Sequence, residues 1–180
     1  MNFLLIILFA AIFPITHSVN GWVFKFAEIA PHIALVYLPA FLRLANVLVL
    51  GRLNGTIATL LGGMLLMGYF SETPRVAFLN SLCSAAGPLV ALQLFKFHTK
   101  RHVELTSLKD LAWLTVIYAV SNAMLHHATW SVLDPSKLVE PVQVLWMIVG
   151  DISGALLGAY LMKWSIVTYR QCRRPSDLLD

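Results

Sequence analysis

Six apolar runs, at about 2–18, 33–50, 54–71, 76–96, 109–129 and 142–166, recur along the chain with polar links between them. Each approaches the roughly 20 residues that carry a helix across a hydrocarbon core about 30 Å thick. Lipid offers a backbone no hydrogen bonds, and a helix satisfies its own N–H and C=O groups within one segment. The expected fold is therefore an all-α integral membrane protein, a bundle of about six transmembrane helices. A single transmembrane domain then covers 1–180, with a short basic cytoplasmic tail at 167–180. With 58% hydrophobic and 12% charged residues, the chain has about half the charge of a typical soluble domain. Residues 2–18 lack the positive leader and small-x-small cleavage site of a signal peptide, so they are expected to remain as the first span.

GRLNG joins the second and third runs and SETP the third and fourth, short links that demand antiparallel hairpins. Orientation follows from Lys and Arg. Arg52, Lys96, Lys100, Arg101, Lys109, Lys163, Arg170, Arg173 and Arg174 fall on one side, and Lys25, Arg75 and Lys137 on the other. Nine against three puts both termini in the cytoplasm of a multi-pass protein of a bacterial inner membrane. Pro39, in YLPAFLR, permits a broken or re-entrant segment, although a continuous helix over 33–50 is the expectation. No inverted repeat is apparent.

Charges at mid-membrane cost roughly 2.5 to 3.5 kcal/mol each on an insertion scale, so Arg43 and Asp151 are expected to face protein. Counted from Ile33 and Val142, the two lie at equal depth on parallel-running helices, which predicts an Arg43–Asp151 ion pair. Asp151 shares a helical face with Gly154 and Gly158, and Gly150 extends the four-residue series. Missing side chains mark a packing face, with the small face of Gly55, Thr59, Gly62 and Gly63 as one candidate neighbour. Asn46, Asn80, Ser84, Asn122 and His126 join Arg43 and Asp151 in an expected outward-facing polar pocket. An architectural clamp and a ligand or proton site both remain open for the charged pair. His126 and His127 are read as an interfacial, solvated pair, since neighbouring helical positions rarely share a metal.

The basic charge follows the links and not a nucleic-acid motif, so no nucleic acid is expected. Cys83 and Cys172 are too few and too differently placed for a disulfide framework or a zinc site. No metalloprotease, phosphate-loop or nucleophile-elbow motif is present, so neither an enzyme nor a cofactor is expected.

Two stretches carry a family likeness: YLPAFLRLANVLVLGRLNGTIATLLGGMLL at 37–66 and LWMIVGDISGALLGAYLMKW at 145–164. A Pro before an apolar run ending in Leu-Gly, then a Gly-rich helix, and later Trp-x-x-x-Gly-Asp-x-x-Gly, resembles the type-one membrane-associated sensor domains of bacteria. The resemblance implies motif roles for Pro39, Gly51, Gly150, Asp151 and Gly154, and a sensory function. Domains of that family usually have more spans and precede a histidine kinase or cyclic-dinucleotide-making domain. Only 14 residues follow the last run here, so output would pass through a membrane or cytoplasmic protein partner. The expected function is a non-enzymatic sensory or ligand-binding module whose ligand is unknown. The alternatives are a small-solute or ion transport component, or an accessory subunit of a membrane complex.

Overall fold

The computed structural model describes residues 3–30, 32–70, 73–133 and 140–172. Helix α1 spans Phe3–Val23, followed by a 3-10 turn at Lys25–Ala27 and a small antiparallel hairpin of β1 (Glu28–Ala30) and β2 (Ile33–Ala34). Two short helices follow, α2 (Pro39–Leu50) and α3 (Arg52–Met64), then the single turn α4 (Met67–Phe70). Three long helices complete the fold: α5 (Pro74–Thr99), α6 (Leu108–Leu133) and α7 (Pro141–Cys172).

The protein is an all-α membrane bundle with an inverted distribution of side chains. Phe3, Leu8, Leu53, Leu82, Val90, Met124, Leu156 and Tyr160 are exposed, while His17, Asn20, Arg43, Asn46, Asn122, His126 and Asp151 are buried. Lipid rewards that arrangement, because polar groups find partners only inside the protein.

The expectation of about six spans needs correction. Among the described residues, three helices are long and apolar enough to cross a membrane: α1, α5 and the Pro141–Tyr169 part of α7. Helix α6 has 26 residues but carries Ser121, Asn122, His126 and His127, all turned inward. At about 1.5 Å per residue, the 12 residues of α2 and 13 of α3 reach only about 20 Å each. Gly51, with φ 80°, joins them in a one-residue reversal that side-chain-bearing residues rarely adopt.

The expected helix over 33–50 starts at Pro39 instead; Ile33–Ala34 form β2, and the chain from there to Leu38 is non-helical apart from the helical dihedrals of Leu38 itself. Proline suits a first helical position because it lacks an N–H that would be unsatisfied there. The non-helical backbone is satisfied by neighbours: Leu35 N–H donates to Ala27 O at 2.8 Å, Tyr37 N–H to Gly150 O at 3.1 Å, and Leu38 N–H to Asn20 Oδ1 at 2.8 Å. Ser153 Oγ donates to Leu35 O. Backbone of this kind survives at membrane depth only when protein supplies such partners.

The glycine series on α7 provides the docking face. An added Cβ would collide with Ala34 O at Gly150, with Tyr37 O at Gly154 and with the Phe41 side chain at Gly158. The packing role is as expected, but the neighbour is the non-helical segment and the start of α2 rather than α3. The small residues of α3 serve three other elements: Gly55 meets the α2 backbone at Asn46, Gly62 the Cβ of Phe13 on α1, and Gly63 the Ser81 side chain on α5.

Three apolar clusters tie the ends together. Ile33, Ala123 and Met147 pack below the hairpin, Leu44, Ala91, Phe95, Leu114 and Tyr118 in the middle, and Ile6, Leu50 and Ala58 near the opposite end. At that opposite end, Arg101 holds Asp110 through two hydrogen bonds of 2.5 and 2.7 Å, and Glu104 N–H donates to the same carboxylate at 3.1 Å. The carboxylate raises the Arg101 guanidinium above its ordinary range. This fork staples the turn between α5 and α6 to the start of α6. The expected tail at 167–180 begins later, because α7 continues to Cys172; residues 173–180 lie outside the described residues.

Candidate functional site

Arg43 and Asp151 do not form the expected ion pair. The Arg43 guanidinium donates to Tyr37 Oη at 3.3 Å and approaches Tyr118 Oη at 3.5 Å. It also lies over the Tyr37 ring at 5.0 Å and the Phe13 ring at 5.6 Å, within cation–π range. The Asp151 carboxylate accepts from Asn122 Nδ2 at 2.6 Å. The equal-depth count failed because it ran at helical rise from Ile33, whereas the helix begins at Pro39. Asp151 follows Gly150, level with Ala34, while Arg43 lies below Phe41, which packs on Gly158.

A cavity of about 40 Å³ opens beneath the hairpin, bordered by every long element. Its polar lining is Arg43 from α2, Asn80, Ser81 and Ser84 from α5, His126 from α6, and His32 and Tyr37 from the hairpin and non-helical segment. Phe13, Leu66, Ala77 and Met147 supply apolar walls. Four expected pocket residues thus converge: Arg43, Asn80, Ser84 and His126. Three stand apart, since Asn122 and Asp151 bond each other and Asn46 donates to Thr59 Oγ1 at 3.0 Å, bolting α2 to α3.

Helical periodicity explains the convergence on α5. Asn80 and Ser84 are four residues apart and share a face. Ser84 Oγ lies 3.2 Å from His126 Nε2, and Asn80 Oδ1 accepts from Trp130 Nε1 at 2.8 Å. The Trp130 ring packs on His126 and His127 at centroid distances of 5.4 and 5.0 Å and near His32 at 5.9 Å. His126 and His127 are therefore buried, at 4% and 5% exposure, and not solvated as expected.

A second cavity of about 40 Å³ lies beside the first, toward α1, lined by His17, Asn20, Glu28, His32 and Tyr37 among others. His32 and Tyr37 border both cavities, and Tyr37 Oη also lies 3.3 Å from His17 Nδ1. Sequence reasoning overlooked Tyr37, Tyr118, His32 and His17. Polar residues at 17 and 20, three apart within an apolar run, were a signal of an inward face. Tyr37 and Tyr118 gave none, since a tyrosine in an apolar run is ordinary until its hydroxyl has a partner.

Some polar atoms remain without protein partners inside this region. They are Arg43 Nε, Asn46 Oδ1, Asn122 Oδ1, His126 Nδ1 and His127 Nε2. Buried polar groups are hydrogen-bonded in the large majority of cases, so a cluster of exceptions marks a site. Two of the five, Arg43 and His126, border the first cavity. No set of three or more His, Cys, Asp or Glu residues among the described residues is arranged to hold a metal.

Compared with known proteins, the chain matches no family model, and no curated protein or solved structure shows a significant match.

Proposed function

We propose that this protein is a non-enzymatic membrane module that binds a small ligand beneath the hairpin and passes the resulting shift to a partner protein. One observation carries the reading: a buried arginine lines a cavity while held by tyrosine hydroxyls instead of a carboxylate, with one N–H still unpartnered. A guanidinium kept only for architecture would gain most from a direct carboxylate partner. The excess of Lys and Arg, nine against three, supports a hairpin and cavity on the outer side of a bacterial inner membrane, with both termini cytoplasmic.

The route for the shift is the glycine face of α7. Tyr37 and Met147 border the cavity, and the Tyr37 backbone rests on Gly150 and Gly154. A ligand that moves Tyr37 therefore pushes on a helix that runs to Cys172. The likeness of the Gly150–Asp151–Gly154 element to the type-one sensor domains supports this sensory reading.

Trp130 provides the test, because it contacts three lining residues. With the other tryptophans changed to Phe, its emission in purified protein should respond saturably to at least one small solute in a panel of neutral, cationic and anionic compounds. A Ser84→Leu change, which fills the cavity, should abolish the response. A folded protein that ignores the whole panel would remove the reading.

The break from helix before Pro39 favours a second reading, a transport component, since broken helices at mid-membrane often line substrate sites. Flux of the responding solute in reconstituted vesicles separates the two. Binding without flux supports a sensor, and sustained flux a carrier.

A further inference from the structure

We infer that the ligand of the hairpin cavity is a small monovalent anion held between Arg43 and the Ser84–His126 pair. This rests on the proposed ligand-binding role and adds the chemistry of the ligand.

Sign comes first. The lining includes one permanently charged side chain, Arg43, and no carboxylate. Asp151, the buried carboxylate nearest in the fold, lies outside the lining and is occupied by Asn122. A cavity with one cation on its wall and no carboxylate favours an anion and repels a second cation.

Donor accounting agrees, whichever histidine tautomer is present. If His126 Nε2–H donates to Ser84 Oγ, the serine hydroxyl hydrogen is unspent. If the serine hydroxyl donates to Nε2, the unspent donor is Nδ1–H, and Nδ1 has no protein partner. Either way the pair holds one donor in reserve, and Arg43 Nε–H is another. Arg43 and His126 are each 4% exposed, so bulk water does not satisfy them. Unspent donors on two residues that line a cavity without a carboxylate suit an acceptor-only ligand.

Size and charge narrow the class. A cavity of about 40 Å³ holds roughly three water-sized groups. Halide, nitrate and formate fit that volume. A dianion would bring one more negative charge than Arg43 neutralises, and unpaired charge is costly to bury.

The test uses the full-length protein in nanodiscs with Trp130 as the sole tryptophan. Sodium formate, nitrate and chloride are titrated separately against sodium gluconate at constant ionic strength, then repeated with choline replacing sodium. The expected result is a saturable Trp130 change for at least one small anion, unaffected by the cation and absent with gluconate. Arg43→Gln should weaken it at least tenfold, with Arg43→Lys intermediate. Should Arg43→Gln fail to fold, Ser84→Ala, expected to weaken binding severalfold, and Ser84→Leu, expected to abolish it, carry the test. A response that follows the cation, equals that of gluconate, or survives both Arg43→Gln and Ser84→Leu overturns the proposal. A response to neutral solutes alone overturns the anion and leaves the ligand-binding role standing; silence toward every solute overturns both.

Discussion

Asn122 Nδ2 stands 2.6 Å from Asp151 Oδ2, and that amide, not the guanidinium of Arg43, is the direct partner of the buried carboxylate. Asp151 and Arg43 are thus satisfied by different groups, Asp151 through an amide of α6 and Arg43 through the hydroxyls of Tyr37 and Tyr118. Separate satisfaction leaves the guanidinium available to something else.

Asp151→Asn should therefore be mild, because an amide still pairs with Asn122 and Arg43 keeps its tyrosines. Asn122→Leu strands a buried carboxylate and should cost about 1–3 kcal/mol or more. Melting temperatures of the two purified variants test this ordering. A larger loss in Asp151→Asn would mean that the Arg43 charge depends on Asp151 after all.

The tyrosine hydroxyls should matter in proportion to the charge they hold. Hydrogen bonds to charged groups contribute about 1.5–3 kcal/mol, so Tyr37→Phe and Tyr118→Phe should each destabilise measurably. Because both bind one guanidinium, the double change should depart from the sum of the single ones. Strict additivity would show that the hydroxyls act independently of Arg43.

Alanine substitutions at glycine should rank by what the new methyl meets. Gly150→Ala and Gly154→Ala strike backbone carbonyls and should exceed the roughly 1–3 kcal/mol typical of overpacking. Gly158→Ala meets Phe41 Cβ, an atom that the α2 backbone holds in place, and should also be costly. Gly68, with nothing within 4 Å, is the control and should tolerate Ala. Equal losses at Gly154 and Gly68 would contradict the docking of residues 34–38 on α7.

Thr59→Val should weaken the α2–α3 hairpin by about 1–3 kcal/mol. It removes the partner of Asn46 Nδ2 in a side chain that is 0% exposed and whose Oδ1 is already unpartnered. Thr59→Ser keeps the hydroxyl and should restore most of the loss. Chemical unfolding of the three proteins in one detergent compares them directly.

Orientation is open to cysteine labelling. With Cys83 and Cys172 replaced by Ser, a cysteine at Glu28 should react with an impermeant maleimide added outside intact cells, and one at His102 only after lysis. The reverse pattern would invert the topology and place the cavity on the cytoplasmic side.

Much of this architecture was legible from residue order alone. Lipid penalises unpaired backbone and exposed charge so heavily that apolar runs of this length identify a membrane bundle and force Arg43 and Asp151 inward. The four-residue glycine spacing marked a packing face because helical geometry is regular, and the same regularity placed Asn80 with Ser84. The tertiary structure decided which partners meet. Helix α2 begins at Pro39 and not at Ile33, so a count of about 1.5 Å per residue from Ile33 does not give the position of Arg43 relative to Asp151. Long side chains then reached across elements, Arg43 to Tyr37 and Tyr118 and Trp130 to Asn80. Periodicity determines which way a residue faces on its own helix. The group it touches depends on the packing of segments far apart in the chain, and local spacing carries no record of that.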